Sequence, residues 1–180
     1  QLVDLFQMEK NRLKQYKDLS IQTEIERHLS HLKREIQEAE TRIAALIQED
    51  ADLSSKAEIL TSVTGVGKTT AAVLLADLPE LGQIERQEIA ALVGVAPFNA
   101  DSGRNIGKRR IRGGRMSVRC ALYMATLVAV RHNPILRTFY QRLRENHKPA
   151  KVALVAAMRK LLIILNAKIK DENKNTLSTL

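Results

Sequence analysis

The sequence predicts an all-α protein. A long coiled-coil helix, or a helical hairpin, is expected over residues 1–56, and a compact helical domain containing a helix-hairpin-helix over residues 57–180. Three observations lead there. Apolar residues recur at alternating spacings of four and three across 25–46, the heptad seam of a coiled coil. Two helical stretches meet at the tight turn Gly65-Val66-Gly67. Aromatics make up 3% of the chain, with no Trp, against 44% hydrophobic residues, so the core is expected to be helices packed through Leu, Ile, Val and Ala. At 180 residues there is room for one or two domains.

The elements follow in order. Residues 1–19 carry Leu2, Phe6, Leu13 and Tyr16 at loosely helical spacing. The seam comes next as Ile25, Leu29, Leu32, Ile36, Ala39, Ile43 and Leu46, with charged residues over much of the remaining face. It pairs either between chains, giving a homodimer or higher homo-oligomer, or back on residues 1–19. Residues 50–55 hold few apolar side chains and are expected to end this helix. A short helix then ends near Val63, and another runs from Lys68 to Leu78, stopped by Pro79. The run from Gly65 to Thr70 looks like part of a P-loop, but Ser62 stands where that motif needs its first glycine and no strand precedes it. A helix-hairpin-helix fits better. Gly65 and Gly67 let N–H groups at the new helix start approach a phosphate, with Lys68 beside them. Contacts of that kind grip a nucleic-acid backbone without reading bases, although an ordinary helical corner has the same pattern.

A third helix, Glu85 to Val93, ends on Gly94 as its cap. A loop bounded by Pro97 and Gly113-Gly114 follows. Residues 116–130 are apolar nearly all round and predict a buried helix, with Ser117 in its first turn or at its N-cap and Cys120 as a small core residue. His132-Asn133-Pro134 ends it, and a helix over 135–144 carries Arg137, Arg142 and Arg144. After Lys148-Pro149 the last helix places Val155, Met158, Leu162, Leu165 and Ile169 on one face, before a polar tail at 171–180 expected to fray.

The charge is unevenly distributed. Residues 1–100 hold 11 basic and 16 acidic side chains, residues 101–180 hold 18 and 4, and the whole is +9. That asymmetry points to nucleic acid or an anionic membrane surface as partner of the second half. The apolar run 120–130 is too short to span a bilayer. One cysteine excludes an internal disulfide and fits a reducing cytoplasm, the expected location. The chain begins with Gln1 and shows no signal peptide, which reads as a fragment.

From Ser102 through Arg144 there are eleven Lys/Arg and no Asp or Glu. Arg104, Lys108, Arg109, Arg110, Arg112, Arg115 and Arg119 are the candidate phosphate ligands of this segment. Ser102, between Asp101 and Gly103, is the candidate nucleophile, since guanidinium groups nearby suit the spread charge of a phosphoryl transition state. Asp-Ser-Gly equally suits a plain turn. Arg131 and His132 suit either a phosphate or the helix dipole, and His147 is isolated. His28 and His31 share a helix face with only Glu24 and Glu35 nearby, and the basic half contains no carboxylate pair placed for Mg²⁺. No metal and no cofactor is therefore expected in this chain.

The runs LTSVTGVGKTTAAVLLADLPELG, IAALVGVAPFNADSG, GKRRIRGGRMSVRCALYMATLVAVRHNP and KPAKVALVAAMRKLLIILNA lie in order over roughly residues 57–170. Together they resemble the C-terminal domain of a family of insertion-sequence transposases that includes the Piv-type DNA invertases and the bridge-RNA-guided recombinases. The resemblance implies a transposase or site-specific recombinase that cleaves and rejoins DNA strands, with Ser102 at the position of the family's catalytic serine. It implies a RuvC-like domain bearing a DEDD carboxylate set for Mg²⁺, joined through a coiled coil. It implies DNA as partner, with a guide RNA in the RNA-guided members. No α/β pattern or acidic tetrad precedes residue 57, so the chain is expected to be inactive alone. The rival reading is a non-catalytic nucleic-acid-binding and dimerisation module, which needs only the charge asymmetry, the hairpin and the heptads.

Overall fold

The computed structural model describes residues 1–98 and 110–178. Among these residues the secondary structure is eight α-helices and no strand, divided into two compact units, 1–49 and 50–180. No helix among them is long and apolar enough to cross a membrane.

The first unit is a helical hairpin of α1 (Leu2–Leu13) and α2 (Leu19–Glu49). The helix expected over 1–19 stops at Leu13 because Asp18 starts a new one. Its carboxylate accepts from the Ser20 hydroxyl at 2.6 Å and the Ser20 N–H at 2.8 Å, and these bonds hold its carboxyl below the usual range. Glu9 on α1 lies 3.5 Å from His28 Nδ1 on α2, and Ile25 and Leu32 are buried. The two helices differ in length. Twelve residues of α1 span about 18 Å and thirty-one of α2 about 46 Å. The far half of the apolar seam is accordingly open, with Ile43 47% and Leu46 56% exposed.

The second unit contains α3 (Ala51–Thr61), α4 (Lys68–Asp77), α5 (Arg86–Val93), α6 (Met116–His132), α7 (Pro134–Glu145) and α8 (Ala150–Ser178). Residues 50–55 are helical despite their few apolar side chains, because Asp50 caps α3 through the N–H groups of Asp52 and Leu53 at 2.9 and 3.0 Å. Asn133 caps α7 in the same way with Pro134 in its first turn, and Gly94 at φ 78° closes α5.

At the centre α6 packs on α8, with α7 against both, α4 on α6 and α5 on α8. Leu60, Leu74, Ile89, Leu122, Leu136, Leu161, Leu162 and Leu165 are fully buried in one apolar cluster. Each such side chain contributes about 1.5–3 kcal/mol by leaving water. Two polar side chains are buried with them: Thr126 on α6, whose hydroxyl donates to the Leu122 carbonyl at 2.6 Å, and Asn166 on α8, whose Oδ1 accepts from the Gly82 N–H at 2.7 Å and whose Nδ2 donates to the Ile84 carbonyl at 3.0 Å. Asn166 acts across elements. It thus fastens the α4–α5 connection to α8.

Two expectations about burial and extent change. Helix α6 is buried on one side only, through Val118, Leu122, Ala125 and Ala129. Met116, Met124 and Val128 are 64%, 61% and 48% exposed, and Cys120 stands on that open stripe instead of in the core. The physical reason is that α4, α7 and α8 all approach α6 from its other side. The tail expected to fray at 171 instead continues α8 to Ser178.

Candidate nucleic-acid interface

The turn between α3 and α4 is built by its apolar residues. Val63 and Val66 are buried, and the Val66 N–H donates to the Val63 carbonyl at 2.9 Å, folding the corner onto the core. Gly65 sits at φ +105° with its backbone against α6, where an added Cβ would lie 2.8 Å from the Ala129 nitrogen. Packing and left-handed backbone therefore both demand glycine there. Gly67 differs. It is the N-cap of α4, no side chain caps that end, and nothing lies within 4 Å of the position a Cβ would take. Lys68 and Thr69 are exposed beside it. The first N–H groups and the positive end of α4 thus face open space, the arrangement that accepts a phosphate.

The second part of the interface is the root of the basic loop. Phe98 and Arg110 form one antiparallel bridge, N–H to carbonyl at 2.9 and 3.3 Å. The Arg112 guanidinium lies 5.2 Å from the centre of the Phe98 ring. Four residues on, Gly114 crosses the end of α5 so closely that a Cβ on it would fall 2.5 Å from the Val93 carbonyl oxygen. Arg110 and Arg112 are exposed, whereas Arg115 and Arg119 turn inward. Arg119 donates to the Gly113 carbonyl and reaches Met116 Sδ at 3.1 Å. Arg115 pairs with Glu80 through two nitrogens at 2.5 Å and donates to the Asp77 carbonyl at 2.9 Å. The bond from Arg115 holds the Glu80 carboxyl below its ordinary 4.5, with the Glu80 N–H adding to the effect, and the same pair raises the Arg115 guanidinium.

Arg115 and Glu80 are thirty-five residues apart, and no spacing rule in the sequence links them. The structure thus places Gly67, Lys68, Arg110 and Arg112 at the surface and uses Gly65, Arg115 and Arg119 to hold the backbone that carries them. Ser102, Arg104, Lys108 and Arg109 lie outside the described residues. Among the described residues no three His, Cys, Asp or Glu side chains converge as metal ligands do. His28 and His31 each face a carboxylate, Glu9 at 3.5 Å and Glu35 at 4.0 Å respectively.

Residues 57–141, from α3 to α7, match the model of the transposase IS116/IS110/IS902 family. The chain is homologous to these transposases. The pilin gene-inverting protein of Moraxella bovis is 30% identical over 148 residues, which is 80% of this chain and 46% of that protein. The insertion element IS900 uncharacterized 42 kDa protein of Mycobacterium paratuberculosis is 34% identical over 152 residues, 79% of this chain and 37% of that protein. The insertion element IS110 protein of Streptomyces coelicolor is 32% identical over 115 residues, covering 63% and 28%. The chain thus spans less than half the length of the curated relatives it matches. The similarity is to mobile-element transposases and recombinases, and the matched span contains both the α3–α4 corner and the basic segment.

Proposed function

We propose that this chain is the nucleophile-bearing and DNA-gripping part of a DNA transposase or site-specific recombinase. The observation that supports it most is the homology over 57–141, which spans Ser102 at the head of an acid-free basic segment. In this reading the Ser102 hydroxyl attacks a DNA phosphorus. An Oγ–P bond forms as the P–O bond to one deoxyribose breaks, the hydroxyl proton leaves, and the released sugar oxygen gains a proton. Arg104, Lys108, Arg109, Arg110 and Arg112 stabilise the charge spread over the phosphoryl oxygens. The α3–turn–α4 corner acts as a helix-hairpin-helix, holding a backbone phosphate with the N-terminus of α4 and Lys68. Arg115 and Arg119 support the loop from behind.

In this account the Mg²⁺-binding RuvC-like domain, and any guide RNA, belong to the full-length recombinase, and no step is routed through a metal held by this chain. The exposed far half of the α2 seam is where a second copy pairs. The test is recombination of a DNA substrate by the full-length protein. Ser102→Ala is expected to abolish it while leaving DNA binding within about threefold.

A second reading, a non-catalytic nucleic-acid-binding and dimerisation module, is favoured by the charge distribution and the open α2 seam, which require no chemistry. Full recombination by the Ser102→Ala protein would select it.

A further inference from the structure

Beside the root of the basic loop, away from the α3–α4 corner, runs a groove of about 650 Å³. Arg110, Lys148 and Lys151 line it with the half-buried Arg159, and among the described residues no acidic one lines it. Its floor is apolar, from the loop's two ends and from Val152 and Val155 on the first turns of α8. Arg159 Nε is buried with no acceptor among the described residues. A buried N–H of that kind costs about 1–3 kcal/mol until something accepts its hydrogen bond. Lys148 and Lys151 are exposed, and Val152 is 54% exposed, so the floor opens directly to solvent.

We propose that this groove is a single-strand subsite, taking one unpaired nucleotide with its phosphate on the four cations and its base on the Val152–Val155 floor. The inference rests on the nucleic-acid reading above and adds a site to it. A double helix keeps its base faces stacked on one another and offers a protein only base edges, sugars and phosphates, so no base face reaches an apolar floor. An unpaired nucleotide presents an anion and an apolar face side by side, which matches a charged rim over an apolar floor. The location fits the chemistry. Arg110, fixed by its bridge to Phe98, belongs at once to the loop's root and to the groove, so a strand opened near the loop has cations to lie on.

The experiment measures the affinity of the 180-residue chain for a labelled oligothymidylate and for a labelled duplex of equal length at fixed salt. Val152→Glu places an acid on the exposed floor, Lys151→Ala removes an exposed rim cation, and Arg159→Gln removes the half-buried one. Each is expected to weaken oligothymidylate binding about tenfold and duplex binding less than about threefold. Unchanged oligothymidylate affinity in all three, with duplex binding intact, would overturn the subsite and leave the broader reading standing. No binding of either ligand by the wild-type chain would overturn both. A polyglutamate peptide that binds the wild type, and is lost with Lys151→Ala while oligothymidylate is unaffected, would assign the groove to an acidic protein partner.

Discussion

Arg115 shows how a residue chosen for its charge is put to use by its neighbours. In the sequence it is one cation among seven behind Ser102; in the fold its guanidinium is held by Glu80 and the Asp77 carbonyl, and it anchors the loop's return. Glu80→Gln keeps the shape and removes the charge, so it should lower the melting temperature and weaken DNA binding by loosening the segment that carries Arg110 and Arg112. The pair also sets a pH dependence. The folded carboxyl titrates below its unfolded value, so its contribution is complete above about pH 4.5 and is lost as pH falls through the lowered value. Acid unfolding of Glu80→Gln should therefore show a smaller pH dependence below 4.5 than the wild type. Asn166 is the other residue on which the second unit depends. Asn166→Ala leaves the Gly82 N–H and the Ile84 carbonyl without partners, which should cost about 1–3 kcal/mol in chemical denaturation. Neither pairing is legible in the sequence, because each joins residues brought together only by the fold.

Helix boundaries are legible in the sequence because their signals are local, whereas the surfaces on which helices meet depend on the fold. Pro79, Gly94 and Asn133-Pro134 mark real helix boundaries because each acts on its own backbone. The caps at Asp50 and Asp18 set the start of α3 and of α2, and neither stands out in the sequence because no apolar period begins beside it. The apolar periphery of α6 predicted burial on all sides, but apolar composition does not say how many neighbours a helix has. The glycines of the α3–α4 corner have unequal roles that spacing alone could not separate. Gly65→Ala should destabilise by more than about 1 kcal/mol, through both its backbone angle and the collision with α6. Gly67→Ala has room for its methyl and should be mild. For α2, Ile25 and Leu32 are already buried in the hairpin, and the unequal helix lengths leave only the far half of the 25–46 seam, with Ile43 and Leu46, to pair between copies. The whole chain should sediment as a dimer and a 50–180 truncation as a monomer; a dimeric truncation would contradict that pairing.

Over the whole molecule, the two halves divide the charge, with the excess of cations after residue 100 and the acids before it. An interface built on Lys68, Arg110, Arg112 and the loop cations must release counterions when it meets DNA. Binding should weaken steeply with salt, by about 10³-fold or more between 50 and 200 mM if six or more phosphates are neutralised. The charge asymmetry and the family resemblance were legible from the start, because composition and motif survive without coordinates. The groove beside α8 was not, because Arg110, Lys148 and Arg159 are scattered in the chain and meet only in the fold. The Ser102 hydroxyl is the proposed nucleophile. The most direct measurement is to incubate the full-length protein with its DNA substrate, quench with denaturant, and map any DNA-linked peptide by mass spectrometry. Attack by Ser102 should leave a phosphodiester adduct on the peptide containing Ser102, absent from Ser102→Ala; an adduct that persists in Ser102→Ala, or maps to another residue, would contradict that role.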